Sequence, residues 1–383
     1  MKAVTLVAVL ALLLVVPSLA IARSDTGALH AVAVCPGPAG PGTARCHAQV
    51  LADGVTPFAS SSPTGLSPTT IQSAYGFSTI STAGAGKTIA IVDAYDDPTA
   101  ESDLGIFSSQ YGLPACTTAN GCFRKVNQNG GTKYPRTNAG WALEISLDIQ
   151  WAHAIAPGAK ILLVEASSNS FANLLAAEDY AKAHAQYVSN SWGGSEFSGE
   201  SSYDPHFIQS SVSFFVSAGD AGLPAEYPSS SPNVISVGGT TLHFDSSGNF
   251  NGETGWSSGG GGCSAYETAT SAQSSFGGYA QVNCGGKRAT PDVSLDADPA
   301  SGVSVYDSTP YQGQSGWWTV GGTSASSPMW AARSADTGVV VDASYVYGGS
   351  ITYRDITTGN NGAPCLVGYD LCSGRGSWTG ATP

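Results

Sequence analysis

Three groups of residues in this chain have the types and spacing for joint chemistry. The run Gly321-Gly322-Thr323-Ser324-Ala325-Ser326-Ser327-Pro328 follows a strand-like WWTV and leads into MWAARSA, which can be helical. Two glycines let the backbone turn tightly and approach another chain, and a serine at a helix start holds its hydroxyl beside free backbone N–H groups. Ser324 is therefore a candidate nucleophile, with a plain helix cap as the competing assignment. The second group is Glu144 and Asp148 in AGWALEISLDIQWAHAI (139–155), a segment apolar nearly all round and so predicted to be a buried helix. A spacing of four puts both carboxylates on one face, with Cβ atoms about 5–6 Å apart. No Arg or Lys lies in the segment, and two buried like charges are costly unless they share a proton, which raises one pKa. Third, Asp220 closes the apolar run VSFFVSAGDAG, where an aspartate is either a turn former or a site carboxyl.

The run GTSxxxP is the nucleophile motif shared by subtilisins and sedolisins. A subtilisin pairs it with a His at an HGT-type helix start, and none of His30, His47, His153, His184, His206 and His243 has that context. An E-x-x-x-D pair upstream of the serine instead resembles the sedolisin (serine-carboxyl peptidase) family, where Glu replaces that His. The resemblance implies a subtilisin-like α/β fold and a serine-type endopeptidase acting on peptide or protein substrates. By it, Ser324 is the nucleophile, Glu144 the general base, and Asp148 orients Glu144 and relays the proton. Sedolisins also carry Asp where subtilisins have the oxyanion-binding Asn, which here is Asp220. An ionised carboxylate would repel an oxyanion, so this role needs a protonated Asp220 and predicts an acidic optimum. Asp93, ending KTIAIVD, matches an acidic residue that extends the family's Glu–Asp chain; the alternative is a loop aspartate beside Asp96 and Asp97. A catalytically inactive sedolisin-like binding protein is the competing reading of the whole chain.

Two further stretches bear on binding. Ser191-Trp192-Gly193, in YVSNSWGG, suits a strand edge that pairs with an extended peptide, and the resemblance puts it along the substrate cleft. For the Trp192 side chain, core packing is the rival. The oxygen-rich stretches DITTGNNG (355–362) and GYD (368–370) resemble the single Ca²⁺ site of sedolisins. The resemblance implies ligation by the Asp355 and Asp370 carboxylates and the Ile356 and Gly368 carbonyls, with a Leu366 carbonyl as a further ligand. Asx-turns without metal are the alternative.

These groups need elements to hold them. KTIAIV, KILLVE, YVSN, VSFFVS and NVISV read as continuous apolar strands, and segments 98–111 and 171–186 read as helices between them. That alternation predicts a parallel sheet covered on both faces, in one catalytic domain. The apolar run Ala3 to Val16, followed by the small-x-small sites Ser18-Leu19-Ala20 and Ala20-Ile21-Ala22, predicts a signal peptide over 1–22, a short leader over 23–65, and a peptidase domain over 66–383. The eight cysteines form four sequence-neighbour pairs, Cys35/Cys46, Cys116/Cys122, Cys263/Cys284 and Cys365/Cys372, expected as disulfides in an exported protein. Only 11% of residues are charged and the net charge is -13. Such a surface does not attract phosphate backbones, and its scarcity of Lys and Arg limits self-repulsion at low pH. The expectation is a secreted, acid-tolerant monomer that binds neither nucleic acid nor membrane.

Overall fold

The computed structural model describes residues 29–53, 56–349 and 351–380. The segment expected to be a signal peptide lies outside the described residues. The predicted strands form one large sheet. From one side to the other, Val293–Asp296, Ile235–Phe244, Ser213–Ser217, Tyr187–Asn190, Thr88–Ala94, Lys160–Ala166 and Phe123–Asn127 run parallel, with Phe250–Gly255 added antiparallel to Ile235–Phe244. Every residue of Thr88–Ala94 after the first is buried, which requires cover on both faces of the strand. The helix Phe171–Lys182 packs on Thr88–Ala94 and Lys160–Ala166, while Ala139–Ile155 and Thr323–Thr337 pack on the sheet and against each other.

Ala139–Ile155 is apolar nearly all round because it is enclosed all round: from Trp141 onward every residue is buried. Asn138 starts it, its side-chain oxygen accepting the N–H groups of Gly140 and Trp141, which satisfies two donors that a helix start leaves free. Thr323–Thr337 begins after Gly322, whose φ of 96° is costly for any residue with a Cβ. Ser324 is thus inside the first turn and is not the cap.

The expectation that the folded unit begins near Leu66 is corrected. Strands His30–Ala33 and Gln49–Asp53 pair with each other, and Gln49–Asp53 pairs with Gln314–Gly321, the strand that leads into the nucleophile helix. Arg45–Cys46 pairs with Trp192–Ser195. Among the described residues between these strands, Gly37 and Gly42 turn the chain at positive φ. All four disulfides join the sequence-neighbour pairs, and no described cysteine is free. No helix among the described residues is long and apolar enough to cross a membrane.

Candidate active site

The site lies where the parallel strands end, as ligand sites in open α/β sheets do. Thr88–Ala94 delivers Asp93, Tyr187–Asn190 runs into Ser191, and Ser213–Ser217 runs into Asp220. The two packed helices bring Ser324 up to Glu144. Glu144, Asp148, Asp93 and Ser324 are wholly buried and Asp220 nearly so.

Burial is the main force on the carboxyls. It pushes Glu144 well above the usual carboxylate range, Asp148 adds to the rise, and the nearby Ser324 hydroxyl opposes it. Burial, then Asp93, raises Asp148; burial, then Glu144 and Glu165, raises Asp93. Both Asp93 oxygens, Glu144 Oε1 and Asp148 Oδ2 have no hydrogen-bond donor. Ionised carboxylates only accept, so neighbouring buried carboxyls are satisfied when protons lie between them. Asp148 Oδ1 accepts the Ser191 hydroxyl at 2.9 Å.

Asp220 faces the start of the nucleophile helix. Its Oδ1 accepts the Thr323 N–H at 2.8 Å and the Thr323 hydroxyl at 2.9 Å, while Oδ2 is buried without a partner. Burial raises its pKa to about 6 against the opposing pull of His47.

The cleft between these groups holds an extended peptide, and it is the chain's own. Arg45 and Cys46 pair antiparallel with Gly193 and Trp192, and the His47 N–H donates to the Ser191 carbonyl at 3.1 Å. A Cβ on Gly322 would collide with the His47 carbonyl oxygen and come within 2.7 Å of Asp220 Oδ2, so that carbonyl and that carboxyl meet on one face of Gly322. The next N–H, of Ala48, donates to Glu144 Oε2 at 2.8 Å. The His47–Ala48 peptide unit therefore lies with its oxygen towards Asp220 and its nitrogen on Glu144. Ser191, Trp192 and Gly193 take this segment through their backbone. The Trp192 side chain is core: it is fully buried, donates Nε1–H to the Val92 carbonyl at 2.8 Å and packs near Phe171.

Arg45, His47, Ser217 and Glu226 were missed as site residues from sequence. The available signal was the pair Arg45 and His47, two apart, which an extended strand puts on one face.

At the C-terminal loops, Asp355 Oδ2 accepts the Gly368 N–H at 2.9 Å and Asp370 Oδ2 accepts the Leu366 N–H at 2.6 Å. Both carboxyls thus close on the loop bridged by Cys365 and Cys372. The carbonyls of Ile356, Leu366 and Gly368 accept no hydrogen bond from the described residues. Asp370 Oδ1 also accepts the N–H groups of Cys372 and Ser373, so the loops supply donors of the carboxylate and carbonyl kind that a hard cation takes, one of them already well used. A separate cluster of metal-ligand types, Cys116, Cys122 and His153, is a disulfide beside a histidine and offers no thiolate.

The buried acids set a stability prediction. Besides the site cluster, burial lifts Glu165 to about 8, Glu178 to about 8 and Asp307 to about 9. A carboxyl whose folded pKa exceeds its unfolded one binds more protons when folded, so its contribution is full below the unfolded pKa and is lost as pH rises through the folded one. The Ser324→Ala chain is expected to melt several degrees higher at about pH 4 than at about pH 8. Thermal melts across that range check this; a melting temperature that climbs with pH would contradict it.

Residues 134–337 match the model of the subtilase family (peptidase S8). Kumamolisin from Bacillus sp. (strain MN-32) is 30% identical over 363 residues, covering 83% of this chain and 63% of kumamolisin. Sedolisin from Pseudomonas sp. (strain 101) is 34% identical over 197 residues, covering 43% of this chain and 31% of that protein. The chain spans less than two thirds of the length of these relatives. A solved structure of Pseudomonas sedolisin, a serine-carboxyl proteinase complexed with two molecules of pseudo-iodotyrostatin, superposes with a TM-score of 0.70 at 28% identity over 83% of this chain and 96% of that one. With the family model spanning more than half the chain and a sedolisin superposing on most of it, this chain belongs to the subtilase family, on its sedolisin branch, with a subtilisin-like fold.

Proposed function

We propose that the chain is an exported serine-type endopeptidase that hydrolyses peptide bonds at acid pH, with Ser324 as nucleophile and Glu144 as general base. The observation that carries this is the His47–Ala48 peptide unit, laid between Asp220 and Glu144 as a substrate bond would be. In the first half of the reaction, Ser324 Oγ attacks the carbonyl carbon and its proton passes to Glu144, whose own proton, held there at acid pH by burial, has moved on to Asp148. A protonated Asp220 and the backbone N–H groups at the start of Thr323–Thr337 stabilise the oxyanion. Glu144 then gives the proton to the departing nitrogen, the C–N bond breaks, and an ester on Ser324 remains. In the second half, water attacks that ester, Glu144 takes the water's proton, and Ser324 recovers it as the acid product leaves. Asp148 and Asp93 buffer the charge on Glu144 by sharing protons. The four disulfides support export. The test is digestion of an unfolded protein at about pH 4 by the wild type and by Ser324→Ala. Loss of digestion in the variant is expected. Equal digestion by both, or none by the wild type, would leave the binding-protein reading in its place.

The same reading includes one Ca²⁺, held by the Asp355 and Asp370 carboxylates and the Ile356 and Gly368 carbonyls, with Leu366 as a further carbonyl. These residues would hold the ion between the 365–372 loop and the 355–356 turn. Ca²⁺ at about a hundred times its dissociation constant is expected to stabilise the fold by roughly 2.7 kcal/mol, and chelation by EGTA to lower the melting temperature by several degrees. An unchanged melt with Asp355→Asn in both conditions, set against a shift in the parent, locates the ion. No shift in either argues for plain Asx-turns.

A further inference from the structure

We propose that Glu226 is a specificity-determining residue, which selects substrates carrying a basic side chain both immediately before the cleaved bond and two residues earlier. This rests on the peptidase reading and names its substrate class. On one side of Glu226, Oε2 lies 3.0 Å from His47 Nε2; on the other, Oε1 lies 3.6 Å from Arg45 Nη2. His47 is the residue whose carbonyl faces Asp220, and Arg45 is two before it. In an extended strand those two side chains share a face, so one carboxylate meets both. The second ring nitrogen of His47 is 2.7 Å from the Ser217 hydroxyl, so both ring nitrogens are engaged in a buried pocket.

The pocket is shaped for this. A Cβ on Gly193 would come within 2.9 Å of His47 Cε1 and 3.3 Å of Glu226 Oε2. A Cβ on Gly219 would come within 3.0 Å of the Glu226 carboxyl. Two bare glycines therefore make room for the carboxylate and for the ring beside it. Beyond Arg45 the pocket opens into a cleft of about 460 Å³ lined by Glu196, Glu226 and Tyr266 among others, in which Arg45 is the one basic residue. That cation belongs to the bound segment, so the charged groups that the body of the protein offers this cleft are the acids Glu196 and Glu226. Asp220 also faces His47 and Arg45. Burial works to raise the Glu226 pKa, but His47 and then Arg45 outweigh it and hold the carboxyl below its ordinary value, so it is a charge in the state that binds cations. Removing one partner of a partly buried ion pair leaves the other desolvated and unpaired, which is how such a site discriminates.

The experiment uses the full chain incubated at acid pH and internally quenched peptides that differ only at the two positions. The parent peptide carries Arg-Ser-His-Ala, cut between His and Ala; in its partners Leu or Glu replaces Arg, His or both. Wild type is expected to prefer the doubly basic peptide over the doubly Leu peptide by about a hundredfold in kcat/KM, about tenfold from each position. In Glu226→Gln that ratio is expected to fall at least tenfold, and in Glu226→Lys the peptide with Glu at both positions should overtake the basic one. The wild-type ratios alone decide the matter if a variant fails to fold. Cleavage of Leu or Glu peptides as readily as basic ones overturns the assignment of Glu226 while leaving the peptidase reading intact. No cleavage of any peptide above the Ser324→Ala background overturns both.

Discussion

The Ser324→Ala chain is expected to keep its His47–Ala48 bond intact at about pH 4 and to lose roughly 10⁵-fold or more in kcat/KM against peptides. The Ser324 hydroxyl makes one long contact of 3.4 Å to the Ser191 carbonyl and otherwise faces Glu144. Removing it takes little from the fold, and Ala suits the first turn of a helix. The wild type has the opposite fate. Its own segment presents a scissile bond with the oxygen and nitrogen already on Asp220 and Glu144, so the effective concentration of substrate is that of an intramolecular reaction. Intact-mass measurement should find a wild-type product beginning at Ala48. The released piece would keep the Cys35–Cys46 bridge, since both cysteines precede the bond, while Gln49–Asp53 stays paired with Gln314–Gly321. A variant that cuts this bond at the wild-type rate would rule out Ser324 as nucleophile; a wild type that never cuts it would mean that the segment is a permanent plug.

The carboxylate helix was legible because its signals are local. A continuous apolar stretch with no Arg or Lys inside it marks Ala139–Ile155, and the structure adds Asn138 as its cap. The parallel strands were legible for the same reason: a strand covered on both faces must be apolar at every position. The segment 29–65 was not, because its strands are two to five residues long and their partners, Trp192–Ser195 and Gln314–Gly321, lie far away in sequence. Composition there reports only the turns.

The pocket around His47 was hidden by a related cause. Ser217 ends the Ser213–Ser217 strand, Glu226 opens the short strand Glu226–Tyr227 that pairs with Trp192–Ser195, Gly193 lies in that partner strand, and Arg45 and His47 come from the segment itself. No spacing rule joins them. His47 among six histidines looks ordinary until the sheet brings its carbonyl to Gly322. Conversely, Asp220 stood out in the sequence because it ends an apolar strand beside a glycine, and a strand end in a parallel sheet is where a functional side chain is exposed to a cleft.

Asp220 carries the second large prediction. With Oδ1 held by Thr323, Oδ2 is the atom left for the oxyanion, and it can donate only when protonated. Its pKa of about 6 means that the donor exists below that pH and is lost as pH rises through it. His47 and Arg45 hold that value down while the segment is in place, and their departure lets it rise, so activity should have an alkaline limb at or above about pH 6. Asp220→Ala removes the donor at every pH, and kcat should fall by about 10²–10³-fold, the usual effect of deleting one oxyanion-binding group. Asp220→Asn replaces a titrating donor by a permanent one. It is expected to lose about tenfold at about pH 4, because the amide is a weaker donor than a carboxylic acid at this short range, yet to lose little more at about pH 7, where the wild type has collapsed. The crossing of the two pH profiles separates this from a merely structural role, since misfolding would lower the Asn variant at all pH values alike. If Asp220→Asn keeps the wild-type alkaline limb, the proton that matters sits elsewhere, on the shared Glu144, Asp148 and Asp93 cluster. The oxyanion would then be held by backbone N–H groups alone, and the tie between this fold and acid pH would rest on its buried carboxyls instead of on Asp220.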